Sequence, residues 1–210
     1  MTPRLKTILR YVRGDVPPYD LCCDHGLLGL SAWEERDLPQ LHLIDQSPRV
    51  MQKLQGNLLH RGLASEPRIK LQTLPAEQLT LPFESCDIVI AGVGVQTMID
   101  IMAAIFSEGL SQHRLILGCQ QKTQELRFYL RRRGFKLVDE DVVLENGRFR
   151  EILVLEGQGE EVTLYGERYR QRSDTTSKAF VLYLQNYYAK IQVAKNQGSR
   201  IRTAWSALEA

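Results

Sequence analysis

Two hydrophobic patterns alternate along most of the chain. Short runs that are apolar throughout, typical of strands buried on both faces, alternate with stretches whose apolar residues recur every three or four positions, typical of helices that cover a core. The runs predict strands at residues 19–22, 41–45, 69–73, 86–91 and 114–118. The stretches predict helices at residues 4–12, 27–33, 48–58, 97–110 and 123–133. This alternation predicts a doubly wound α/β fold with a mostly parallel sheet.

The pattern changes after Gly134, which is placed to end the last of these helices. Residues 135–144 and 148–156 are two β-rich runs joined at Asn146 and Gly147, a dipeptide typical of tight hairpins. The sheet is therefore predicted to have seven strands and to end in an antiparallel pair. In open α/β sheets, ligands bind at the carboxyl ends of the parallel strands, near the switch in strand order.

The last part of the chain returns to a helical pattern. After a cap at residue 173 or 174, apolar residues follow in steps of four and three, the spacing of a heptad seam, at Phe180, Leu184, Tyr187, Ile191 and Ala194. Residues 196–198 interrupt this seam, and three apolar residues resume it, Ile201, Trp205 and Leu208. The interruption favours an antiparallel helical hairpin over one long rod. We therefore expect a main domain at residues 1–157 and a small helical appendage at residues 158–210.

Composition and charge narrow the class of protein. Hydrophobic residues make up 43% and charged residues 25% of the chain, as in soluble globular proteins, and the net charge is only +2. The basic residues are clustered, however. From residue 162 onward there are eight basic residues against three acidic ones, and residues 127–133 include four arginines. Such clusters suit a polyanionic partner, although a solvated helical face is the commoner meaning of a charge run.

Membrane, disulfide and metal chemistry are not expected. No run approaches the roughly 20 apolar residues of a membrane span, and the first residues lack the apolar core of a signal peptide, so a cytoplasmic location is predicted. The four cysteines form no CxxC pair that would suggest a zinc site or a disulfide framework. The sequence leaves the oligomeric state open and slightly favours a monomer.

The first two predicted strands end in residues that suit a nucleoside. The turn from Asp20 to Gly26 stands where such folds keep a glycine-rich loop that lets the backbone approach a nucleotide, although only one glycine remains. Asp45 ends the second strand, where a carboxylate can accept hydrogen bonds from both ribose hydroxyls of an adenosine. The alternative makes Asp45 only the solvated start of a loop. Its register with the first turn favours the nucleoside site.

Two further strand ends extend this predicted pocket. After the third strand, Ala76 and Glu77 offer a backbone N–H and a carboxylate at the level of an adenine ring, although turn chemistry explains them nearly as well. After the fourth, residues 91–95 are small and apolar, which leaves room for a base or simply allows close packing. His25 is either a catalytic base or, more commonly for a lone histidine, a structural hydrogen-bond partner.

Several segments together resemble the bacterial tRNA (adenine-22-N1)-methyltransferase family. They are Asp24-His25, the run 90–94, Leu126-Arg127, the run 134–140 and the run 149–154, and the resemblance covers about residues 4–166. A basic helical C-terminal hairpin is also a feature of that family. The resemblance implies a Rossmann-like class I methyltransferase fold and methyl transfer from S-adenosylmethionine to N1 of one adenine in tRNA.

The pocket and the resemblance together assign roles to residues. Asp24 is expected to be catalytic, as a carboxylate near the exocyclic amine of the target adenine. The cofactor is expected to contact residues at the strand ends, namely Asp20, Cys22, His25, Gly26, Asp45, Gln46, Ala76, Glu77, Ala91 and Gly92. The tRNA is expected to contact a second set, namely Val93, Gly94, Gln120, Arg127, Arg168, Arg170 and Arg172. No metal is expected.

Some positions depart from the family pattern. Cys22 stands where the family has glycine, Val95 ends a loop that ends in glycine in the family, residues 118–120 replace Gln-Pro-Asn, and Arg150 replaces a tyrosine. Because several of these lie around the expected base pocket, two alternatives stay open. One is a methyltransferase acting on another RNA base or a small molecule, and the other is a catalytically silent RNA-binding protein of the same fold.

Overall fold

The structure, a computed structural model, describes residues 1–82, 84–107, 109–110, 112–120 and 123–196, excepting the side chains of residues 188–196. Its helices are α1 (Pro3–Tyr11), α2 (Leu27–Glu35), α3 (Pro48–His60), α4 (Val95–Ile105), α5 (Thr123–Arg132), α6 (Glu167–Gln171) and α7 (Thr175–Asn196). Its strands are β1 (Pro18–Leu21), β2 (Leu41–Asp45), β3 (Ile69–Thr73), β4 (Asp87–Ala91), β5 (Arg114–Gly118), β6 (Lys136–Glu145), β7 (Arg148–Glu156) and β8 (Glu160–Glu161). A 3₁₀ turn, Ala76–Gln78, follows β3.

Local signals in the sequence set the helix starts. The Thr2 hydroxyl accepts a hydrogen bond from the Leu5 backbone N–H at 3.4 Å at the start of α1, and the Ser47 hydroxyl accepts one from the Val50 N–H at 3.4 Å at the start of α3. A proline occupies the first position of both helices, where its missing N–H costs no hydrogen bond. These are the signals from which α3 was predicted.

Helix α4 differs most from its predicted bounds of 97–110. It begins at Val95, because Gly94 already has the extended backbone of a cap residue, and it ends at Ile105. Phe106 leaves the helical conformation with φ of −118°, and its ring is buried at 1% exposure in the core below the helix. The apolar residues that extended the predicted helix therefore belong to a packed loop.

The strands form one sheet in the order β3-β2-β1-β4-β5-β7-β6-β8. The first five strands of this order are parallel, and β7 is antiparallel to both β5 and β6. The chain reverses its direction of winding between β1 and β4, which is where a ligand crevice forms in such sheets. The predicted doubly wound sheet with an antiparallel end is confirmed.

The predicted number of seven strands is wrong by one. Residues 160–161 form an eighth strand, β8, which pairs with the beginning of β6. A strand of two residues has no periodicity that could reveal it in the sequence. Its position depends on Gly159, which has φ of +147° and where a Cβ would lie 2.6 Å from the Leu137 carbonyl oxygen.

The helices cover both faces of the sheet, and the strands divide their side chains between them. In β4, Ile88 and Ile90 pack with residues of α4 and α5, whereas Val89 packs on the opposite face with residues of α1, α2 and α3. All three side chains are at most 1% exposed. Full burial of each such side chain contributes about 2 kcal/mol. This sandwich holds the strand ends in a fixed relation to one another.

The residues after β8 pack against the antiparallel end of the sheet. Tyr169 of α6 and Phe180 and Leu184 of α7 form a small core with Val142 of β6. Two positions of the predicted heptad seam are thus buried, whereas the next one, Tyr187, is 44% exposed. Helix α6 was not predicted, because five residues are too short to show a period.

The remaining predictions for the appendage lie outside the described residues. They concern the side chains of Ile191 and Ala194 and the second arm of the hairpin with Ile201, Trp205 and Leu208. The division of the chain at residue 157 stays a prediction. Within the described part of the chain, no helix is both long and apolar enough to cross a membrane.

Candidate cofactor and substrate site

A cavity of about 490 Å³ opens at the carboxyl ends of β1, β2 and β4, a size typical of small-molecule sites. Its walls are the turn after β1, the residues after β2, the 3₁₀ turn after β3 and the loop after β4. Most of the predicted site residues line it, namely Asp20, Cys22, Asp24, His25, Asp45, Gln46, Ala76, Glu77, Ala91, Gly92 and Val93. The structure therefore brings together residues from four separate strand ends. We call this space the cofactor cavity.

The turn after β1 owes its shape to three left-handed residues. Cys22 has φ of 56°, Asp24 of 50° and Gly26 of 69°. The Cys23 N–H donates to a carbonyl of β2 at 3.0 Å, and the Gly26 N–H donates to the Cys23 carbonyl at 2.8 Å, so the turn is fastened to the sheet and to itself. A Cβ on Gly26 would lie 2.6 Å from a Leu54 methyl carbon. Gly26 thus shapes the turn but does not line the cavity.

Asp45 lies at the edge of the cofactor cavity with both carboxylate oxygens held. Its Oδ2 accepts a hydrogen bond from the Asp24 backbone N–H at 3.2 Å, and its Oδ1 accepts one from the Ser47 N–H at 2.9 Å. A carboxylate oxygen has lone pairs for a second hydrogen bond. Each oxygen is therefore able to accept a further hydrogen bond from a hydroxyl group. Recognition of the two hydroxyls of a ribose requires two such acceptors.

Asp20 is the most buried acid of the cavity wall, at 5% exposure. Its Oδ2 accepts a hydrogen bond from the Gly29 N–H in the first turn of α2 at 3.0 Å. Burial, followed by the nearby charge of Asp45, raises the pKa of Asp20 to about 7, although the Gly29 bond works to lower it. Gly29 is required here, since a Cβ would lie 2.4 Å from the Leu43 side chain.

The 3₁₀ turn after β3 and the loop after β4 form a further part of the cavity wall. Ala76 is buried at 5% exposure in the 3₁₀ turn, and Glu77 follows it at the cavity wall. Beyond β4, Gly92 has φ of +85°, and a Cβ there would meet no atom within 4 Å. With Val93 beside it, this part of the wall offers open space for a flat group.

Asp24 and His25 lie at the rim, where the cavity meets solvent. Their side chains are 69% and 57% exposed, and the His25 Nε2 lies 3.7 Å from the Asp24 Oδ1. At this distance the two groups form no hydrogen bond. Both are therefore free to face a molecule that enters the cavity from outside.

Several residues of the cavity wall were missed from the sequence. Arg4 and Leu5 come from α1, and Thr97 and Ile101 come from α4. Helix α1 carried only the signal of a core-covering helix, and nothing in its own residues indicates that it reaches the strand ends. In the described ranges, no group of three or more His, Cys, Asp or Glu side chains could hold a metal ion.

Arg127 is placed where no substrate can reach it, which corrects its predicted role. It is 1% exposed, and its Nη2 lies 2.7 Å from a Glu140 oxygen and 2.5 Å from a Glu151 oxygen. Its Nη1 donates to the Thr163 carbonyl at 3.0 Å, and its guanidinium lies 5.8 Å from the centre of the Tyr169 ring. We call Arg127, Glu140, Glu151 and Tyr169 the Arg127 cluster.

The acids of the Arg127 cluster keep Arg127 in its charged form. Burial alone would lower the pKa of Arg127, but Glu151 and the other members raise it above its usual value. The guanidinium therefore stays protonated and joins α5 to β6, β7 and the appendage. Its role is structural.

The three other arginines predicted to contact the substrate lie on or beside α6. Arg168 pairs with Glu160 at 3.0 Å, and Arg172 pairs with Asp139 and Asp141, each at 3.0 Å. These two guanidinium groups therefore tie α6 and the residue after it to β6 and β8. Arg170 is exposed.

The last two predicted substrate residues lie outside the cofactor cavity. Gly94 is the cap residue of α4 and does not line the cavity. Gln120 lines a second cavity, of about 430 Å³, between the β6–β7 hairpin and α7. The substrate residues therefore do not form one site, and only Val93 lies beside the predicted cofactor residues.

Comparison with known proteins identifies the family of this fold. The family model for a methyltransferase domain matches residues 1–153. The chain belongs to this methyltransferase family. No curated protein sequence matches the chain. The family match covers the whole sheet up to β7, including every strand end of the cofactor cavity.

Solved structures resemble this methyltransferase over nearly its full length. The Bacillus subtilis m1A22 tRNA methyltransferase TrmK has a TM-score of 0.77 at 17% identity, covering 99% of this chain and 92% of the other. Mycoplasma capricolum TrmK with S-adenosylhomocysteine has a TM-score of 0.71 at 15% identity, covering 94% and 88%. Streptococcus pneumoniae Sp1610 with S-adenosyl-L-methionine has a TM-score of 0.71 at 23% identity, covering 92% and 91%. At these identities the likeness shows the fold, and the predicted class I methyltransferase fold is confirmed.

Proposed function

We propose that this methyltransferase transfers the methyl group of S-adenosylmethionine to N1 of an adenine in tRNA. The observation that carries the proposal is the Asp45 carboxylate, which is held by two backbone N–H groups at the edge of a cavity of about 490 Å³. The structures of similar fold that contain this cofactor or its product support the choice of cofactor. The similarity to tRNA methyltransferases extends over the appendage and supports the choice of substrate.

The residues of the cofactor cavity fit an adenosine sulfonium. Asp45 would accept both ribose hydroxyls, and the backbone of Ala76 with the side chain of Glu77 would face the adenine. Gln46, the residue after Asp45, lines the same wall. Asp20 and the turn at Cys22 would border the amino acid end. When bound, S-adenosylmethionine would supply a methyl group that a nucleophile can accept directly, with S-adenosylhomocysteine as the leaving group.

The target adenine needs alignment more than activation. Its N1 carries an in-plane lone pair, so this chain has to hold the nitrogen in line with the methyl group and exclude water. The open wall at Gly92 and Val93 would receive the base. Because N1 lies on the Watson–Crick edge, the nucleotide has to be splayed out of any pairing before it enters.

Asp24 is the proposed catalytic residue. The adenine ring gains positive charge as the new bond forms, and a carboxylate beside the exocyclic amine stabilises that charge or takes a proton. The Asp24 side chain is at the cavity rim, 69% exposed, with His25 beside it. Both side chains can therefore reach a base that enters from solvent.

Replacing Asp24 tests this role. We expect Asp24→Asn to lower kcat by about 100-fold, while the affinity for S-adenosylhomocysteine changes little, because the loss is confined to the reacting base. Glu35→Gln is the matched control, since it makes the same change from carboxylate to amide at an exposed position on α2. It should keep full activity. Full methylation of tRNA by Asp24→Asn at saturating cofactor would remove Asp24 from the mechanism.

The appendage at residues 158–210 is the proposed tRNA contact. It carries eight basic residues against five acidic ones, and Arg170 faces solvent. Phosphates of a tRNA backbone are met by such clustered charge. An enzyme with this substrate would act in the cytoplasm.

Two measurements decide the proposed function. Calorimetric titration with S-adenosylhomocysteine tests the cofactor site, and no binding would favour a catalytically silent RNA-binding protein. Transfer of a tritiated methyl group to bulk tRNA, followed by mapping of the modified base, tests the substrate. Methylation at a base other than adenine N1, or none on tRNA despite cofactor binding, would favour the alternative acceptors.

A further inference from the structure

A groove with aromatic walls lies beside the cofactor cavity and takes no part in the chemistry described above. It is the second cavity, of about 430 Å³, between the β6–β7 hairpin, the residues after β5 and helix α7. Six of its lining residues define what we call the aromatic groove, namely Arg148, Phe149, Arg150, Phe180, Tyr183 and Tyr187.

Four rings form a continuous ladder along the aromatic groove. Phe149 lies 5.2 Å from Phe180 and 5.4 Å from Tyr183 between ring centres, and Tyr183 lies 6.2 Å from Tyr187. Tyr183 and Tyr187 are nearly parallel, at an interplanar angle of 22°. The ladder is ordered because the three α7 residues are spaced by three and four positions and therefore share one face of the helix.

The ladder is buried at one end and about half exposed at the other. Phe180 is 3% exposed and packs in the small core under the appendage, whereas Tyr183 and Tyr187 are 49% and 44% exposed. Two adjacent, parallel tyrosine rings with this exposure offer flat apolar surface to a ligand. Their order comes from the buried end, so a ligand that stacks on them does not have to immobilise them first.

The charge of the aromatic groove is positive. Arg148 is exposed at the hairpin, and Arg150 lies in the groove wall with its side chain 12% exposed. The Arg150 Nη1 donates a hydrogen bond to the Gln120 carbonyl. The Arg150 Nε lies 4.0 Å from a Glu145 oxygen, too far for a hydrogen bond, and this nitrogen has no hydrogen-bond partner among the described residues. Glu151, which also lines the groove, forms an ion pair with Arg127 at 2.5 Å.

The groove opens at the same edge of the sheet as the cofactor cavity. Ala91, which lines the cofactor cavity, is paired with Gly118 of β5, and Gly118 is paired with Ile152 of β7. Neighbouring strands are about 4.8 Å apart, so about 10 Å separates the cavity wall from the strand that carries Arg150. A nucleotide chain of one or two units spans such a distance.

From this juxtaposition we propose that the aromatic groove binds an unpaired nucleotide of the RNA next to the target base. Its base stacks on Tyr183 and Tyr187, and its phosphate lies between Arg148 and Arg150. Stacking on aromatic rings beside arginines is how proteins hold single-stranded RNA without reading its sequence. When the target base is splayed out, the neighbouring base loses its stacking partner. The tyrosine rings of the groove would take the place of that partner. The inference rests on the proposed function, because it requires an RNA substrate.

The test compares Tyr183→Ala with Tyr183→Phe in binding of unmodified bulk tRNA by the full chain. Stacking of a base on an aromatic ring is lost in the first variant and kept in the second, so the affinity should fall about tenfold in Tyr183→Ala and stay near wild type in Tyr183→Phe. Leu182→Ala is the matched control, since Leu182 is 57% exposed on α7 and does not line the groove. All three variants should bind S-adenosylhomocysteine with unchanged affinity.

Two further readouts locate the contact. Arg148→Ala should reduce the slope of log affinity against log salt by about 1, as expected for one lost phosphate contact. Photo-crosslinking of tRNA that contains 4-thiouridine should label the peptide carrying Phe180, Tyr183 and Tyr187. Labelling only elsewhere in the chain would contradict the groove as the nucleotide site.

The outcomes separate this inference from the proposed function. If the wild type binds and methylates tRNA while Tyr183→Ala does so with the same affinity, the groove proposal is wrong and the proposed function stands. If the wild type binds S-adenosylhomocysteine but no tRNA, both proposals are wrong. A loss in Tyr183→Ala that Tyr183→Phe shares would indicate a role of the hydroxyl group and would also overturn stacking.

Discussion

The cofactor cavity and the Arg127 cluster both gather carboxylates inside the protein, but they handle the charge in opposite ways. In the Arg127 cluster, one guanidinium lies within 2.7 Å of both acids. In the cofactor cavity, neither Asp20 nor Asp45 forms an ion pair with any described residue, and backbone N–H groups are their partners instead. Paired acids fasten the appendage to the sheet, whereas acids held only by the backbone are left available for a ligand.

The largest expected effect comes from removing the cation of the Arg127 cluster. Arg127→Ala should lower the free energy of unfolding by about 3–5 kcal/mol, because it leaves two buried carboxylates without a counter-charge. Arg131→Ala, four positions along α5 with its side chain 54% exposed, should change it by less than about 1 kcal/mol. Urea denaturation measures both. Equal stability of the two variants would contradict the contrast between the regions.

In the cofactor cavity, the titration of Asp20 should appear in the pH dependence of stability. The pKa of Asp20 is raised to about 7 in the folded protein, so between pH 4 and 7 the folded state holds a proton that the unfolded state has lost. The free energy of unfolding should therefore fall as pH rises through this window, by about 1 kcal/mol per pH unit. Outside this window, Asp20 should add no further pH dependence. Asp20→Asn should remove this contribution. The exposed Asp37→Asn is the control and should leave the slope as in wild type.

Replacing Asp45 tests whether the cofactor cavity binds its ligand through this carboxylate. Asp45→Ala should weaken S-adenosylhomocysteine binding by about 100-fold, because two charge-assisted hydrogen bonds to the ribose are worth about 3 kcal/mol together. Asp45→Asn, which keeps one acceptor oxygen, should have an intermediate affinity. Isothermal titration calorimetry gives both values. Unchanged affinity in Asp45→Ala would show that this carboxylate belongs to the loop alone.

The smallest effect concerns the strained turn of the cofactor cavity. Cys22→Gly should raise the free energy of unfolding by about 0.5–1 kcal/mol, because glycine adopts the left-handed conformation without the steric cost that a Cβ imposes. Cys22→Ala removes the thiol but keeps the Cβ, and it should show no such gain. A loss of stability in Cys22→Gly would mean that packing of the thiol outweighs the backbone strain.

Much of the fold could be predicted because its signals are local. Ser47 and Pro48 indicate a helix start wherever they precede an apolar stripe, and Asn146 and Gly147 both adopt the positive φ that their hairpin requires. The left-handed backbone at Cys22 and Asp24 could not be predicted in this way. Cysteine has no preference for that region, and aspartate, although enriched there, adopts it in only a small share of cases. This conformation is imposed by the attachment of the turn to β2.

The candidate site divides in the same manner. Asp45 could be predicted as a site residue because parallel strands bring their carboxyl ends to one edge, so its place in the chain fixes its place in the fold. Arg127 was assigned to the substrate from its family motif and the basic run around it. Its role was decided by Tyr169, 42 residues away, and by two acids on different strands.

The sequence by itself therefore determined the order of strands and helices up to β7, the edge of the sheet at which the cofactor cavity opens and the position of Asp45 at that edge. These follow from periodicity and from residue types within a few positions of one another. Only the tertiary structure decided which arginines are free, that Arg4 of α1 reaches the cofactor cavity, and that Tyr183 and Tyr187 leave their rings exposed beside it. Those outcomes depend on which distant segments meet when the sheet and the appendage pack, and no local pattern carries that information.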